Sequence, residues 1–265
     1  MLVLYILVLL VSFYILAKVV DDYFVESLDN IAERLKMSHD AAGATLMAIG
    51  SSAPELFVAL FAVLRKDGNH EVIGVANIVG SALFNILVIT GGAAIIRKAV
   101  IAWQAVVRDL FFYGVSVGLL LFVLIDGKIT YTETAILLGS YIIYVLVVIY
   151  WKKMFKYDER NRKIFKEPDN DVKDMKLYEK IMRPIDFILK KIFPSKKHNF
   201  LIFIMSISMI AGISWLLVES AVNIAHILNI SEAVIAITVL AAGTSIPDLL
   251  SSLSVSKQGR GGMAI

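Results

Sequence analysis

The sequence predicts an all-α polytopic membrane protein built on an inverted repeat. Three observations carry that expectation. The 265 residues are 58% hydrophobic and only 18% charged, with a mean hydropathy of +0.76, whereas globular domains run at about 45–50% apolar and about 25% charged. The apolar residues gather into unbroken stretches of about 20, the length that crosses a bilayer as a helix. A 36-residue segment also recurs with its polar residues in register. A soluble enzyme, a nucleic-acid binder and a disordered regulator all fit this composition poorly. Without cysteine the chain has no disulfide, thiolate metal site or thiol nucleophile.

Seven apolar spans are expected, at about 2–20, 41–64, 72–96, 103–125, 131–150, 200–222 and 233–255. The first has no basic n-region, Lys18 being its only charge, and no small-residue cleavage site follows, so it reads as a retained span rather than a signal. Asp21 to Asp40 places Phe24, Leu28, Ile31 and Leu35 on one face, which predicts an amphipathic helix at the surface. Asp126 before Gly127 predicts a turn, and Trp103, Tyr150 and Trp151 suit interfacial anchors.

One long polar stretch separates the fifth and sixth spans. Between Lys152 and Lys197 it holds 15 of the 26 Lys and Arg residues against 8 acids. Basic loops of this length stay in the cytoplasm, so five preceding spans place the amino terminus outside. Arg97, Lys98 and Arg108 then fall inside as expected, whereas Arg65 and Lys66 fall outside. The loop contains Pro168, Pro184 and Pro194 and reads as a linker. Within it, Lys176 to Phe193 has helical spacing at Leu177, Ile181, Ile185, Ile188 and Ile192, suited to lying on the cytoplasmic leaflet. The expected division is 1–151 as a first half with five spans, 152–198 as a cytosolic basic loop, and 199–265 as the start of a second half.

The repeat pairs Val25–Leu60 with Val218–Leu253 at a fixed offset of 193, and 15 of 36 positions are identical without gaps. Glu26/Glu219, Asn30/Asn223, Thr45/Thr238, Gly50/Gly243, Ser52/Ser245 and Pro54/Pro247 are among the matches, and Glu55 meets Asp248. Shared apolar composition would not align Gly, Ser, Pro and a carboxylate. Five spans lie between equivalent points, an odd number, so the second copy crosses the membrane in the opposite direction. Inverted repeats of this kind build secondary transporters, whose sites form near the midplane from interrupted helices.

Each copy carries a polar patch inside an apolar span: Gly50-Ser51-Ser52-Ala53-Pro54-Glu55 and Gly243-Thr244-Ser245-Ile246-Pro247-Asp248. Proline removes a donor and clashes with the preceding turn, so each helix is expected to kink or break and to free carbonyls near Ala48 and Ala241. A carboxylate at mid-membrane costs about 2.5–3.5 kcal/mol and marks a functional site by default. No Lys or Arg lies in span two or seven to pair with Glu55 or Asp248, which weighs against two merely structural kinked helices. With the hydroxyls of Ser51, Ser52, Thr244 and Ser245, these acids make an all-oxygen cage of the type that Ca²⁺ fills with about 6–8 ligands. Sodium competes for the same oxygens, and Mg²⁺ gives up water reluctantly.

Span three adds Asn77 and then Gly80-Ser81-Ala82-Leu83-Phe84-Asn85, with Ser81 and Asn85 four apart on one helix face. Gly80 and Ser81 also suit close helix packing. Glu26 and Glu219 sit toward span ends, where capping or interfacial pairing is expected. His39, His70, His198 and His226 lack metal-ligand spacing.

On these motifs the sequence resembles the Ca²⁺/cation antiporter superfamily, specifically the sodium/calcium exchangers, whose two inverted α-repeats carry G-[ST]-S-x-P-[ED] followed by G-S-x-x-x-N. The first α-repeat falls at about 41–96 and the second opens at about 233–265. Ser-Ser-Ala-Pro-Glu and Thr-Ser-Ile-Pro-Asp look closest to the potassium-dependent branch. The resemblance implies an inverted-repeat antiporter fold of ten helices, of which about seven are present, and alternating access in which Na⁺ entry drives Ca²⁺ out. By position it implies Glu55 and Asp248 as central Ca²⁺ ligands shared with sodium. Ser51 and Thr244 would assist through hydroxyls, Ala48 and Ala241 through carbonyls, and Ser52, Ser81, Asn85 and Ser245 would complete flanking sodium sites.

The counterpart of Gly80–Asn85 would fall at 273–278, past Ile265, so a fragment lacking the last helices is expected, together with the acidic position that the potassium-dependent branch uses for K⁺. Transported Ca²⁺ and Na⁺, with K⁺ left open, are the expected ligands. The expected setting is the lipid bilayer of the plasma membrane, without nucleic acid, cofactor or enzymatic activity. A Ca²⁺/H⁺ antiporter using the same carboxylates, and a non-transporting fragment, stay open as alternatives; oligomeric state, stoichiometry and direction are not readable.

Overall fold

The computed structural model describes residues 1–37, 45–46, 48–66, 70–96, 103–154, 176–193 and 199–257. Expectations for His39 and His198, Arg97 and Lys98, Pro168 and Pro194, and positions 258–265 lie outside the described residues. Every regular element is helical. In chain order they are α1 (Leu2–Arg34), α2 (Ala48–Ser51), α3 (Ala53–Leu64), α4 (Glu71–Ile96), α5 (Trp103–Leu124), α6 (Tyr131–Met154), α7 (Lys176–Ile192), α8 (Asn199–Leu228), α9 (Glu232–Thr244) and α10 (Ile246–Lys257).

Five of these, within α1, α4, α5, α6 and α8, are long and apolar enough to cross a membrane, while α3 and α9 are shorter apolar helices. The expected second and seventh spans are therefore present as interrupted helices, α2–α3 broken at Ser52 and α9–α10 broken at Ser245. The i−4 hydrogen bond that proline cannot make is the reason. Among the described residues π-helical turns lie at Val20–Val25 in α1, Asn85–Ile89 in α4 and Ala236–Leu240 in α9, and Thr45 and Leu46 are π-helical as well. Such turns shift the side-chain register and gather at functional sites.

The first π turn corrects the reading of 21–40. No separate surface helix starts there; α1 runs on through the turn to Arg34. Phe24 and Leu28 join the buried core, whereas Leu35 lies past the helix end and is exposed. The extra residue in the π turn carries the apolar stripe of α1 around the axis, so one helix serves both stretches.

The core forms where the two copies interlock. α8 packs along α1 and against α3, and α9 packs against α4. Leu16 and Val19 of α1, Val58 of α3, Ile73 of α4, Ile210, Leu217 and Val218 of α8 and Leu240 of α9 are fully enclosed there. α5 and α6 form a hairpin at the periphery: 11% and 6% of their apolar stretches are buried, against 39% for α1, α4 and α8. The turn expected at Asp126 is present, with Lys128 N donating to Asp126 Oδ1 at 3.0 Å. At the far end of the hairpin the Arg108 guanidinium lies 5.9 Å from the centre of the Trp151 ring.

The helix expected within the polar loop is α7, in a different register. Leu189 and Phe193 are buried and Ile185 is packed against the same cluster, while Ile188 and Ile192 are exposed. Tyr14 of α1 donates to Asp186 Oδ1 at 2.7 Å, and Phe193 stacks on Tyr23 with ring centres 3.9 Å apart. Positions 185, 189 and 193 recur every four residues, and α1 offers them an aromatic surface that Ile188 and Ile192 could reach only after rotation of the helix.

Ion pairs join the copies at one end of the bundle. Arg65, just past α3, meets Glu219 of α8 at 2.9 Å. His70, just before α4, meets Glu232 of α9 at 2.8 Å, with His226 at 3.7 Å from the same carboxylate. Glu219 also accepts from Asn223 Nδ2, so the recurrent glutamate of the second copy pairs at the surface as expected.

Gly80 is where α4 comes closest to the second copy. A Cβ there would overlap the Ile237 carbonyl oxygen and the Ala241 side chain. Gly80→Ala is expected to destabilise the protein by about 1–3 kcal/mol through overpacking. The check is the thermal unfolding midpoint in detergent, and a midpoint equal to that of the parent would contradict this packing.

Candidate cation site

The two breaks share one backbone geometry. Ser52 sits at φ −89° and ψ 5°, and Ser245 at φ −91° and ψ 1°. Ser52 N reaches the Ala48 carbonyl at 3.3 Å, and Ser245 N reaches that of Ala241 at the same distance. One residue earlier, the Ser51 and Thr244 hydroxyls donate to those same two carbonyls, again at 3.3 Å. The Ala48 and Ala241 carbonyls are thus held by two long bonds each rather than freed. The carbonyl that loses its donor is the one four residues before proline, that of Gly50 or Gly243.

Past each break a new helix begins, with Glu55 in the first turn of α3 and Asp248 in the first turn of α10. The positive end of a helix dipole favours a carboxylate at that position. Both acids are therefore held at helix starts that open within the bundle, one from each copy.

Glu55 is the centre of the arrangement. Its side chain is buried among helices, and Ser81 Oγ donates to its Oε1 at 2.9 Å. Ser81 Oγ also lies 2.6 Å from Ser245 Oγ. A hydroxyl has one proton, so Ser81 gives its proton to Glu55 and accepts that of Ser245. The Thr244 hydroxyl, donating to the Ala241 carbonyl, lies near the Glu55 carboxylate. The other carboxylate oxygen, Oε2, is buried without a partner among the described residues. One carboxylate thus gathers hydroxyls from α4 and from the α9–α10 break, and keeps one oxygen available.

The remaining predicted residues stand at different distances from this cluster. Asp248 is half-buried, has no hydrogen-bond partner among the described residues and is near enough to interact electrostatically with Glu55. Asn85 opens the π turn of α4 with its Oδ1 buried and unpartnered. Ser51 is half-buried with its hydroxyl on Ala48, and Ser52 is exposed. Among the described residues no three His, Asp or Glu side chains are grouped to hold a metal ion. What the arrangement offers a cation is two acids supplemented by hydroxyl, amide and carbonyl oxygens, the donor set of a hard ion.

Two residues at the site escaped the sequence-based assignment. Asp21, on the π turn of α1, lies within electrostatic range of Asp248; its place in an apparent surface helix concealed it. Asn77 is completely buried one turn before Ser81. The spacing 77, 81, 85 was the available signal.

Comparison with known proteins identifies the family. The sequence profile of the family described as sodium/calcium exchanger protein matches residues 5–150 and 198–265, passing over most of the polar loop. Human sodium/potassium/calcium exchanger 4 is 45% identical over 153 residues, 57% of this chain and 24% of its own. Human sodium/potassium/calcium exchanger 5 is 27% identical across 99% of this chain and 66% of its own. The chain thus spans about a quarter of several of the curated relatives it matches. A solved structure of the sodium-calcium exchanger NCX_Mj, soaked with Na⁺ and Sr²⁺, superposes with a TM-score of 0.55 at 26% identity, covering 100% of this chain and 76% of that one. The profile takes in both interrupted helices and each of the long apolar helices, so the chain belongs to the sodium/calcium exchanger family and is an integral multi-pass membrane protein.

Proposed function

We propose that the protein exchanges Na⁺ for Ca²⁺ across a membrane by alternating access, with its ions bound between the two interrupted helices. The observation that carries this reading is the Glu55–Ser81–Ser245 chain, which joins the copies through a buried carboxylate with one oxygen unpartnered. Glu55 and Asp248 supply the two negative charges that offset a divalent ion. Ser51 and Thr244 through hydroxyls, and Ala48 and Ala241 through carbonyls, add neutral oxygens beside them. Ser52, Ser81, Asn85 and Ser245 serve flanking sodium positions. Two sodium ions carry the charge of one Ca²⁺, so the same acids hold either load in turn. The many relatives named sodium/potassium/calcium exchangers favour K⁺ as a further coupled ion.

The surroundings follow from the same reading. Residues 1–151 act as the first inverted half, 152–198 as the cytoplasmic loop and 199–265 as part of the second half, in the plasma membrane with the amino terminus outside. Lys and Arg cluster in that loop, and basic loops are retained on the cytoplasmic side.

The decisive measurement is ⁴⁵Ca²⁺ uptake into Na⁺-loaded proteoliposomes containing the full-length protein, with and without K⁺. Uptake that needs the outward Na⁺ gradient and disappears in Glu55→Gln and in Asp248→Asn is the expected result. Equal uptake driven by a proton gradient without Na⁺ would replace this reading with Ca²⁺/H⁺ exchange, and absence of flux would refute transport. Ser81→Ala is expected to weaken Ca²⁺ binding by about tenfold or more, since hydrogen bonds to charged groups are worth about 1.5–3 kcal/mol. Equilibrium ⁴⁵Ca²⁺ binding checks this, and unchanged affinity would remove Ser81 from the site.

A further inference from the structure

Asn77 has an exposure of 0%, and neither Oδ1 nor Nδ2 meets a hydrogen-bond partner among the described residues. An amide carries two donor and two acceptor positions, and buried side-chain polar atoms are nearly always partnered. Leucine has the same number of side-chain heavy atoms, branched at the same carbon, and would leave nothing unsatisfied there. Packing between helices therefore does not account for an asparagine at this position.

Its place on α4 indicates what the amide serves. Ser81, four residues on and hence on the same face, contacts Glu55 and Ser245. Asn85, four residues further, has a buried and unpartnered Oδ1 of its own. The three side chains make a rail of hard oxygens, with steps of about 6 Å along the helix axis. The same face is walled by both copies: Gly74 lies against Ala59 of α3, and Gly80 against Ile237 and Ala241 of α9. Asn77 thus stands in the seam between them, on the side of the cluster that leads to His70 and the start of α4.

Resting on the exchange reading above, we infer that Asn77 is a further coordinating side chain, whose Oδ1 binds a sodium ion one helical turn from the Glu55–Ser81 cluster. A neutral amide oxygen suits a singly charged ion and replaces one water of its shell. The divalent ion accepts amide oxygens too, but it is held by the carboxylates, from which Asn77 stands one helical turn away.

Purified full-length protein loaded with ⁴⁵Ca²⁺ and titrated with Na⁺ tests this. Asn77→Leu is expected to raise the Na⁺ concentration for half-displacement by about tenfold and to leave the Ca²⁺ dissociation constant, measured without Na⁺, within about twofold. Its thermal midpoint should not fall, because no buried amide is left bare. Asn77→Asp keeps the shape and the oxygen and adds a charge, so it should lower the half-displacement concentration below that of the parent. A folded Leu variant with parental Na⁺ displacement overturns the inference, as does a parallel loss of Ca²⁺ affinity, which marks a merely structural role. Should the Leu variant fail to fold, the Asp variant decides: parental displacement overturns the inference and a lower value supports it. Parent protein whose bound ⁴⁵Ca²⁺ is not displaced by Na⁺ would overturn the exchange reading itself, whatever the Asn77 variants show.

Discussion

Burying the Glu55 carboxylate among apolar helices imposes the conditions that the centre of the bundle meets. A carboxylate at that depth costs about 2.5–3.5 kcal/mol on insertion scales, and neither interrupted span contains a Lys or Arg to offset it. The compensation comes from hydroxyls and from a helix start. Pro54 opens the helix so that Glu55 falls in the first turn of α3, where aligned peptide dipoles favour negative charge. Ser81 then has to arrive from α4 and Ser245 from the second copy. That is possible only if α4 passes close to α9, and Gly80 supplies the missing side chain at the crossing. Proline, glycine and the two serines are thus consequences of one buried charge.

The repeat solves the same backbone problem twice and then uses the solutions differently. At both breaks a hydroxyl and a backbone N–H share one alanine carbonyl at 3.3 Å, so the last turn before each break is closed in the same way. The chain then restarts with an acid in the first turn. The environments diverge from there. Glu55 is enclosed and hydrogen-bonded, whereas Asp248 is half-buried, has no hydrogen bond among the described residues and lies within electrostatic range of a third acid, Asp21. Identical local chemistry in two surroundings gives one acid fixed in place and one free to follow a charge.

Much of this was legible in the sequence because it rests on residues with few structural uses. Paired Gly-Ser-Ser and Gly-Thr-Ser patches ending in Pro and an acid, in apolar spans at a constant offset, carried the helix breaks and the pairing of the copies. What escaped depended on register. The π turn at Val20–Val25 joins two stretches that a periodicity of 3.6 separates, so Asp21 read as the start of a surface helix. In α7 the apolar residues offer two faces, and the choice of Ile185, Leu189 and Phe193 was made by Tyr14 and Tyr23 on α1, which no local pattern contains. Glu219 was visible as an acid near a span end, and Glu232 went unremarked. Their partners Arg65 and His70 are more than 150 residues away in the chain and become neighbours only once the copies interlock.

The contacts between the copies also differ in how readily they come apart. At the His70 end they include ion pairs with partial solvent access, Arg65–Glu219 at 16% and 37% side-chain exposure. Exposed pairs contribute about 0–1 kcal/mol, because water replaces each partner cheaply. At the centre the contact is a hydroxyl–hydroxyl bond leaning on a buried carboxylate and enclosed among helices. Breaking it alone leaves the Ser245 hydroxyl proton without an acceptor in an apolar setting, at a cost of about 1–3 kcal/mol. On the proposed exchange, a cation held by Glu55 and Asp248 would change that balance, since it would satisfy the carboxylates directly and remove the need for Ser81 and Ser245 to remain together. Occupancy of the site and separation of the copies would then be coupled through the same few oxygens, the physical requirement for an ion to control the movement that releases it.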